Sequence, residues 1–197
     1  MKLSHIVLAV ILILLTGCAS HLKDIKNPEL PLVRKHYSVR VPQAGKWKII
    51  DEQNPYNVYI GSRQGDTHTF IAYAIATENV PQFASPEEFF IYFKTQLSFN
   101  EMPDRQKQLK ADSSKDNRFG EYSMKYNVFY EDINAPNAPR GTSLLVKFQG
   151  YVILLPKKTA LIMIYFSERG LKEEMVQDFD VRAEEFIQSL MLNAPPD

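Results

Sequence analysis

The sequence predicts an α+β fold in which a mainly antiparallel β-sheet packs between helices, as in an α/β/α sandwich. Strand patterns joined by turns dominate residues 119–167, and such hairpin connections make neighbouring strands antiparallel. Ala160–Phe166 is apolar or aromatic at every position, which is typical of a central strand covered on both faces. Two amphipathic segments, Ser85–Phe99 and Leu171–Leu192, are predicted to be the covering helices.

The first strands of the predicted sheet are short. Apolar and polar residues alternate over Tyr37–Val41, and further strands are expected at Trp47–Ile49 and Val58–Ile60. Gly61–Asp66 (GSRQGD) is predicted to be a turn, because its glycine spacing fits neither a nucleophile elbow nor a phosphate loop. Thr67–Ala76 follows as a longer strand, and three alanines on one of its faces leave room for a helix to approach closely.

The first predicted helix has a clear start and is followed by a polar segment. Ser85 is suited to cap the helix, Pro86 to occupy its first position, and Glu88 to complete a capping box. Asn100–Asn117 is polar and charged and is predicted to be a long loop, with a short strand expected around Lys107–Ala111. A loop of this length is either functional or mobile.

Longer strands are predicted in the second half of the chain. They cover Phe119–Glu131, Thr142–Leu155 and Thr159–Ser167. Asp132–Gly141, which contains two prolines, is expected to be the hairpin loop between the first two. The final helix is followed by a proline-containing tail at residues 193–197, which cannot extend it.

The N-terminus has the three parts of a secretory signal. Met1-Lys2 supplies a positive charge, Ile6–Leu15 is an unbroken apolar run, and a small-residue site follows it. The run is about half the roughly 20 residues that a membrane-spanning helix needs. Residues 1–17 are therefore predicted to be removed, although a retained membrane anchor and a plain secretory signal without lipid remain alternatives.

Cys18, the only cysteine of the chain, closes this signal. Leu15-Thr16-Gly17-Cys18 resembles the lipobox of bacterial lipoproteins, an apolar residue and two small ones before cysteine. That resemblance implies acylation of Cys18 and anchoring in the lipid membrane. Ala19, rather than an aspartate, follows Cys18. In lipoproteins of Gram-negative bacteria this pattern resembles the signal for sorting to the outer membrane.

Length and charge bound the remainder of the chain. Residues 18–36 are predicted to be a lipid-anchored tether, and residues 37–192 suit one domain with a sizeable core. The whole chain has 23 basic and 23 acidic residues, and residues 1–17 contain one lysine and no acid. The mature chain therefore has no basic excess for neutralising phosphates, and we expect no nucleic-acid partner.

The order of these elements is familiar from one superfamily. Tyr37–Pro42 is a tyrosine-led strand ending in proline, Trp47 follows it, and the last helix closes with Phe186–Leu190 (FIQSL). Together with the capped aromatic helix, this order is similar to the PsbP-like superfamily. That group includes extrinsic subunits of photosystem II, Ran-binding import factors of the Mog type and bacterial lipoproteins. The resemblance covers Tyr37–Leu192, apart from the two long loops.

The PsbP-like resemblance has consequences for fold and function. It implies an antiparallel sheet between helices, and a scaffold or binding module more often than an enzyme. The superfamily has no universal catalytic motif, so the resemblance assigns no catalytic residue to this chain.

Few residues show a pattern typical of catalysis. His68, close to Asp66, is a candidate general base, and Ser62 is the nearest candidate nucleophile, but an ordinary structural role is the default for both. His21 and His36 complete the histidines of the mature chain, and no pair has metal-ligand spacing. We therefore expect no enzyme, no metal and no cofactor.

Three tyrosines are the remaining candidates for binding. Tyr122, Tyr126 and Tyr130 recur every four residues along a predicted strand and share one face. They form either an aromatic binding surface or part of a core beneath a helix. The leading hypothesis is a periplasm-facing outer-membrane lipoprotein that binds an envelope protein through a sheet face or the loops at 100–117 and 132–141. The alternative is a small-ligand-binding lipoprotein with an aromatic pocket between sheet and helix.

Overall fold

The computed structural model describes residues 22–96, 105–156 and 159–193. These residues form short β-strands first, then long strands interrupted by helices. The strands are β1 (Lys23–Asp24), β2 (Leu32–Val33), β3 (Tyr37–Val39), β4 (Lys48–Ile49), β5 (Asn57–Arg63), β6 (Thr69–Thr77), β7 (Gln106–Lys115), β8 (Ser123–Asp132), β9 (Leu144–Leu154), β10 (Leu161–Gly170) and β11 (Met191–Leu192). The helices are α1 (Pro86–Gln96) and α2 (Phe179–Gln188), with 3₁₀ turns at Asn117–Phe119 and Lys172–Glu174.

Eight of these strands form one sheet in the order β1-β4-β5-β6-β10-β9-β8-β7. Every pairing within it is antiparallel. A smaller sheet has the order β11-β3-β2 and joins the two ends of the described chain. The prediction of a mainly antiparallel α+β fold is therefore confirmed.

Each face of the large sheet has its own hydrophobic core. On one face α2 packs through Phe179, Ala183 and Phe186 against the even-numbered residues of β6 and β10. On the other face α1 packs through Phe89 and Phe93 against an aromatic cluster. The described residues thus supply one helix per face, so the fold is a helix-flanked sheet rather than the full α/β/α sandwich that was predicted.

Residues 22–36, which we call the arm, pack against the domain. Leu22 lies over Gly61, since a methyl group at Gly61 would be 3.6 Å from the Leu22 side chain. Ile25 and Leu32 are buried in the core beneath α2. The buried Arg34 side chain donates from Nε to the carbonyl of Asn57 at 2.7 Å. The predicted tether, residues 18–36, is therefore docked wherever the structure describes it, and the packed unit begins before Tyr37.

The arm ends at a small charged clamp. Glu78 lies 2.6 Å from Lys35 Nζ and 2.9 Å from His36 Nε2. The hydrogen bonds from Lys35 and then His36 lower the pKa of Glu78. The clamp therefore favours the ionised carboxylate, and it joins the arm to the end of β6.

Two predicted connections are strands in the structure. Gly61, Ser62 and Arg63 of the predicted GSRQGD turn belong to β5, and the turn comes after them. Most of the predicted loop Asn100–Asn117 is β7, although residues 100–104 lie outside the described residues. The short strand expected around Lys107–Ala111 is present, but it is longer than predicted. The rest of the loop prediction was wrong because β7 is exposed on both faces, so its sequence lacks the alternation that marks a half-buried strand.

The last helix is shorter than predicted. β10 continues to Gly170, and α2 begins only at Phe179 rather than at Leu171. The Glu174 carboxylate accepts hydrogen bonds from the Leu171 amide at 2.8 Å and from the Thr67 hydroxyl. Because the Glu174 side chain bonds the Leu171 amide, this backbone group has a partner without an α-helix, and α2 begins later in the chain.

Candidate functional site

A groove lies between α2 and the adjoining part of the sheet. α2 covers β10 and part of β9 but leaves the same face of β8 and of Lys147–Gln149 open, and the resulting groove has a volume of about 590 Å³. Its floor and walls come from four elements. They are Lys110 and Asp112 of β7, Lys125, Asn127 and Phe129 of β8, Lys147 and Gln149 of β9, and Phe179, Asp180 and Glu184 of α2.

Glu184 is the centre of the hydrogen bonds on the helix side of the groove. Its carboxylate accepts from the Arg118 guanidinium and, at 3.4 Å, from Gln149 Nε2. Lys125 Nζ lies 4.0 Å from the other side of the same carboxylate. Burial lowers the pKa of Arg118, but the bond to Glu184 together with the nearby charges of Glu184 and Asp116 outweighs burial and raises the pKa above its ordinary value. The wall is therefore a fixed array of opposite charges.

A second set of hydrogen bonds, centred on Asp116, positions Arg118 beside Glu184. Tyr151 donates its hydroxyl to Asp116 Oδ2 at 2.7 Å, and the Arg118 amide donates to Asp116 Oδ1 at 2.9 Å. Burial raises the pKa of Asp116, but these bonds and the Arg118 charge outweigh it and hold the pKa below its ordinary value. The carboxylate stays ionised and keeps Arg118 in place beside Glu184.

The groove combines this polar wall with aromatic surface. The half-buried Phe129 lies on its floor, and Lys147 Nζ is 5.5 Å from the centre of the Phe179 ring. Lys110 and Asp112 form an ion pair of 2.8 Å at its outer rim. Such a mixture of apolar floor and polar rim is typical of a recognition surface.

β7 borders the groove and forms an edge of the large sheet. Within the described residues β8 is its one neighbour, so alternate backbone groups of β7 face away from the sheet. A bulge falls between Gln108 and Lys110, and the bulged Leu109 is exposed. Lysines and bulges of this kind discourage unspecific pairing at a sheet edge.

The tyrosine row predicted as a binding surface is mostly part of the core. Tyr126 is 3% exposed, and the Tyr130 ring stacks on Phe148 in the cluster beneath α1. Tyr122 precedes β8, is half-buried, and contacts Phe89 edge-on at 5.9 Å. The structure thus corresponds to the core alternative that the sequence left open, because α1 covers this face.

Tyr126 belongs to a row of aromatic residues across the sheet. In the strand register Tyr73 is opposite Tyr165, Tyr165 is opposite Gly150, and Gly150 is opposite Tyr126. A methyl group at Gly150 would lie 2.6 Å from the Tyr126 hydroxyl and 2.4 Å from the carbonyl of Ile164. Glycine is required there because the Tyr126 ring occupies the space of a side chain.

Tyr122 also lines a smaller cavity at the end of β9. This cavity has a volume of about 520 Å³, and its wall includes Phe119, Leu154 and Leu155. Of the three predicted tyrosines, Tyr122 alone lines one of the two cavities described here.

The candidate base His68 has a carboxylate partner, but Glu168 rather than Asp66. Its Nε2 lies 2.8 Å from Glu168 Oε1, which also accepts from the Val176 amide at 2.7 Å. His68 is 7% exposed and Glu168 is fully buried. The pair has the geometry of an oriented base, but it lies inside the domain rather than in the groove. The candidate nucleophile Ser62 is buried within β5.

A buried carboxylate at the end of β8 was missed by the sequence reasoning. Asp132 is fully buried and accepts from Arg105 Nε at 3.1 Å and from Arg169 Nη2 at 3.3 Å. It was predicted to begin an exposed hairpin loop. The sequence does contain a signal for this burial. Asp132 is an even number of residues from Tyr126 and Tyr130, so it lies on the same face of the strand.

The remaining features to place are the anchor cysteine, a metal site and a membrane span. Cys18 and His21 lie outside the described residues. Across residues 22–96, 105–156 and 159–193, no cluster of three or more His, Cys, Asp or Glu side chains is arranged to hold a metal ion. Neither helix in these parts of the chain has the length and apolarity of a membrane span.

Comparisons with known proteins identify structural likeness alone. No protein-family model matches the chain, and no curated protein matches its sequence. The solution structure of cyanobacterial PsbP (CyanoP) from Synechocystis sp. PCC 6803 is 10% identical, with a TM-score of 0.41 over 87% of this chain and 90% of that one. The Ran-binding protein Mog1p of Saccharomyces cerevisiae is 11% identical, with a TM-score of 0.41 over 79% of this chain and 89% of its own.

A point mutant of the Mog1 protein gives a TM-score of 0.42 at 11% identity, over 87% of this chain and 95% of its own. The chain is therefore similar in structure to these proteins. Its membership of the PsbP-like superfamily stays a prediction.

Proposed function

We propose that the chain is a lipoprotein, anchored in the outer membrane through acylated Cys18 and facing the periplasm, whose domain binds an envelope protein without catalysing a reaction. The lipobox-like Leu15–Cys18 segment supports the anchor. One acyl chain gives marginal membrane binding, and two or more give stable anchoring. An anchored domain meets membrane-bound partners at a raised effective concentration.

The observation that carries the binding role is the groove beside β7. It is the largest open surface among the two cavities described here, and it combines aromatic residues with fixed charges. By contrast, the paired groups with catalytic potential, His68 and Glu168, are buried away from it. Most of the charged groups that line the groove form ion pairs, and no histidine is among its lining residues, which favours binding over catalysis.

The geometry favours an extended segment of the partner. Such a segment can add to β7 through backbone hydrogen bonds beside Lys110 and Asp112, and the partner chain that continues across the groove can contact Phe129 and Lys147. The ion pairs at Lys110 and Glu184 would then select for side chains of matching charge. Backbone pairing supplies affinity and the groove supplies specificity.

The test is crosslinking in intact cells followed by purification from membranes through a C-terminal tag and mass spectrometry. The informative variant is Phe129→Ser with Lys147→Glu, which changes the groove floor. The matched control is Ile91→Ser with Lys94→Glu on the outer side of α1, where both residues are exposed. We expect one envelope protein captured by wild type and control and lost from the groove variant. Equal capture by all three, or no captured protein, would contradict the proposal.

The alternative is a lipoprotein that binds a small ligand in the same groove. Its support is the volume of about 590 Å³ between sheet and helix, which is lined by the half-buried Phe129 and the buried Phe179. Native mass spectrometry of protein released gently from membranes tests this function. A constant added mass that disappears in the Phe129→Ser, Lys147→Glu variant would favour the ligand, and a bare protein would exclude it.

A further inference from the structure

The arm limits how far the domain can lie from its anchor. Cys18 and Lys23 are five residues apart, and an extended chain spans at most about 3.6 Å per residue, so the two are separated by no more than about 18 Å. From Lys23 onward the chain is fixed, because β1 pairs with β4 in the register Lys23–Ile49 and Asp24–Lys48. The lipid is therefore attached next to one particular edge of the sheet.

Several contacts hold the arm against the domain, so the distance limit on the anchor applies to the whole domain. Ile25 and Leu32 are buried, Arg34 donates to Asn57, and Glu78 bonds Lys35 and His36. These contacts lie near both ends of the arm. The arm from Lys23 to His36 is thus held against the domain rather than forming a long free tether.

The edge beside the anchor has four exposed lysines. Residues 22–28 and 45–49 contain four lysines, Lys23, Lys26, Lys46 and Lys48, and one acid, Asp24. All four lysines are exposed, and continuing the β1–β4 register brings Lys26 toward Lys46. Asp24 is 3.6 Å from Lys48, and Glu29, Asp51 and Glu52 flank the two ranges, so the four lysines lie among a similar number of acids. Basic groups next to a lipid anchor are attracted to anionic headgroups.

We propose that the β1–β4 edge is a membrane-contact surface, on which Lys23, Lys26, Lys46 and Lys48 bind anionic lipid headgroups and hold the sheet edge-on to the bilayer. This inference rests on the acylation of Cys18 in the proposed function. The opposite edge also has lysines, with Lys107, Lys110 and Lys115 on β7. The position of the anchor, rather than charge alone, therefore decides which edge faces the membrane.

The orientation has a consequence for recognition. Strands in a sheet lie about 4.8 Å apart, so β7 is about 34 Å from β1 across the eight-stranded sheet. In this orientation β7 and the groove point away from the bilayer. The partner would approach from the periplasm rather than from within the membrane that holds the anchor.

The test is fluorescence quenching of the acylated full chain, purified with its own lipid and inserted into vesicles of phosphatidylethanolamine and phosphatidylglycerol. The acylated Cys18 has no free thiol, so one introduced cysteine can be labelled at a time. Asn27→Cys reports the β1 edge and Ser114→Cys reports β7, and neither removes a lysine. A fraction of the lipid headgroups carries a nitroxide quencher.

We expect strong quenching at position 27 and none at position 114, because about 30 Å separates the two sites. Replacing the four edge lysines by glutamine should reduce this difference severalfold, since each lysine adds to headgroup binding. The matched control replaces Lys107, Lys110, Lys125 and Lys147 by glutamine and should leave the difference unchanged.

Equal quenching at the two positions, or stronger quenching at position 114, would overturn the proposed orientation. An unchanged difference in the edge-lysine variant would overturn the role of the lysines. Failure of the anchor is detected separately: protein that does not float with the vesicles, or lacks the acyl mass in mass spectrometry, contradicts the proposed function rather than the orientation.

Discussion

The two edges of the large sheet are built in opposite ways. At one edge, β1 is two residues long and belongs to an arm that is buried at Ile25 and Leu32. At the other, β7 is ten residues long and is exposed along most of its length. Within the same sheet, one edge is closed by the arm and the other remains open along β7. Under the proposed function, the closed edge serves attachment and the open edge serves recognition.

The largest expected effect comes from removing the anchor. Cys18→Ser should abolish incorporation of a labelled fatty acid and move the protein from the membrane to the soluble fraction, because each buried lipid methylene contributes about 0.8 kcal/mol. Ser20→Ala, a change outside the lipobox, is the control and should be labelled like wild type. Persistent labelling of the Cys18→Ser protein would contradict the anchor.

The same substitution at the two edges should have different effects on stability. Leu32 in the arm is 7% exposed, whereas Leu109 in β7 is 44% exposed. Leu32→Ala should lower the free energy of unfolding by about 2–3 kcal/mol through loss of buried surface. Leu109→Ala should change it by less than about 0.5 kcal/mol. Denaturant unfolding of the two variants measures the contrast, and similar losses would show that the arm is not part of the packed unit.

A smaller effect is expected from removing the charges that protect β7. Lys107→Val with Lys110→Val should allow β7 edges of two molecules to pair, giving concentration-dependent self-association by sedimentation analysis. Lys23→Val with Lys48→Val at the other edge is the matched control and should stay monomeric like wild type, because β1 is too short to pair widely. Association of the control alone would reverse the assignment of the two edges.

The smallest effect concerns the pH dependence of the arm. The pKa of Glu78 is lowered in the folded state by hydrogen bonds from Lys35 and His36. The clamp therefore contributes stability above the ordinary pKa of glutamate, and this contribution is lost as the pH falls through the lowered value. The amide NMR signals of Val33 and Tyr37 should shift over that acidic range.

Glu78→Gln should remove this shift in the arm. Glu87→Gln is the matched control near the other edge, where a hydrogen bond from Lys115 lowers the pKa of Glu87. The control should leave the arm signals titrating as in wild type. An arm that titrates identically in the Glu78→Gln protein would exclude the clamp.

Local sequence patterns predicted the regular elements that have at least one buried face. The pattern of the two faces located β6 and β8, and a long apolar run located β9, which is buried on both faces over most of its length. The Ser85 cap is present, since the Glu88 amide donates to Ser85 Oγ at 3.2 Å. Only part of β7 was predicted, as a short strand around Lys107–Ala111, because an exposed edge strand has no buried face and therefore no alternation of apolar residues. The start of α2 escaped prediction because it depends on Glu174, which bonds Thr67 from a distant part of the chain.

The candidate site was harder to predict than the strands. Lys125, Asn127 and Phe129 alternate along β8, so their common face follows from the sequence. Whether that face is open depends on where α2 lies across the sheet, and no local pattern specifies this. The same limit explains Tyr126, whose burial depends on α1 and on the space above Gly150.

The most direct test of the difference between the edges is photo-crosslinking in intact cells from one residue at each edge. A photoreactive amino acid at position 27 lies beside β1, and one at position 114 lies on β7. The proposal predicts lipid adducts at position 27 and a single envelope-protein adduct at position 114, both identified by mass spectrometry. Protein adducts at position 27 with none at position 114 would contradict it, as would the same adducts at both positions.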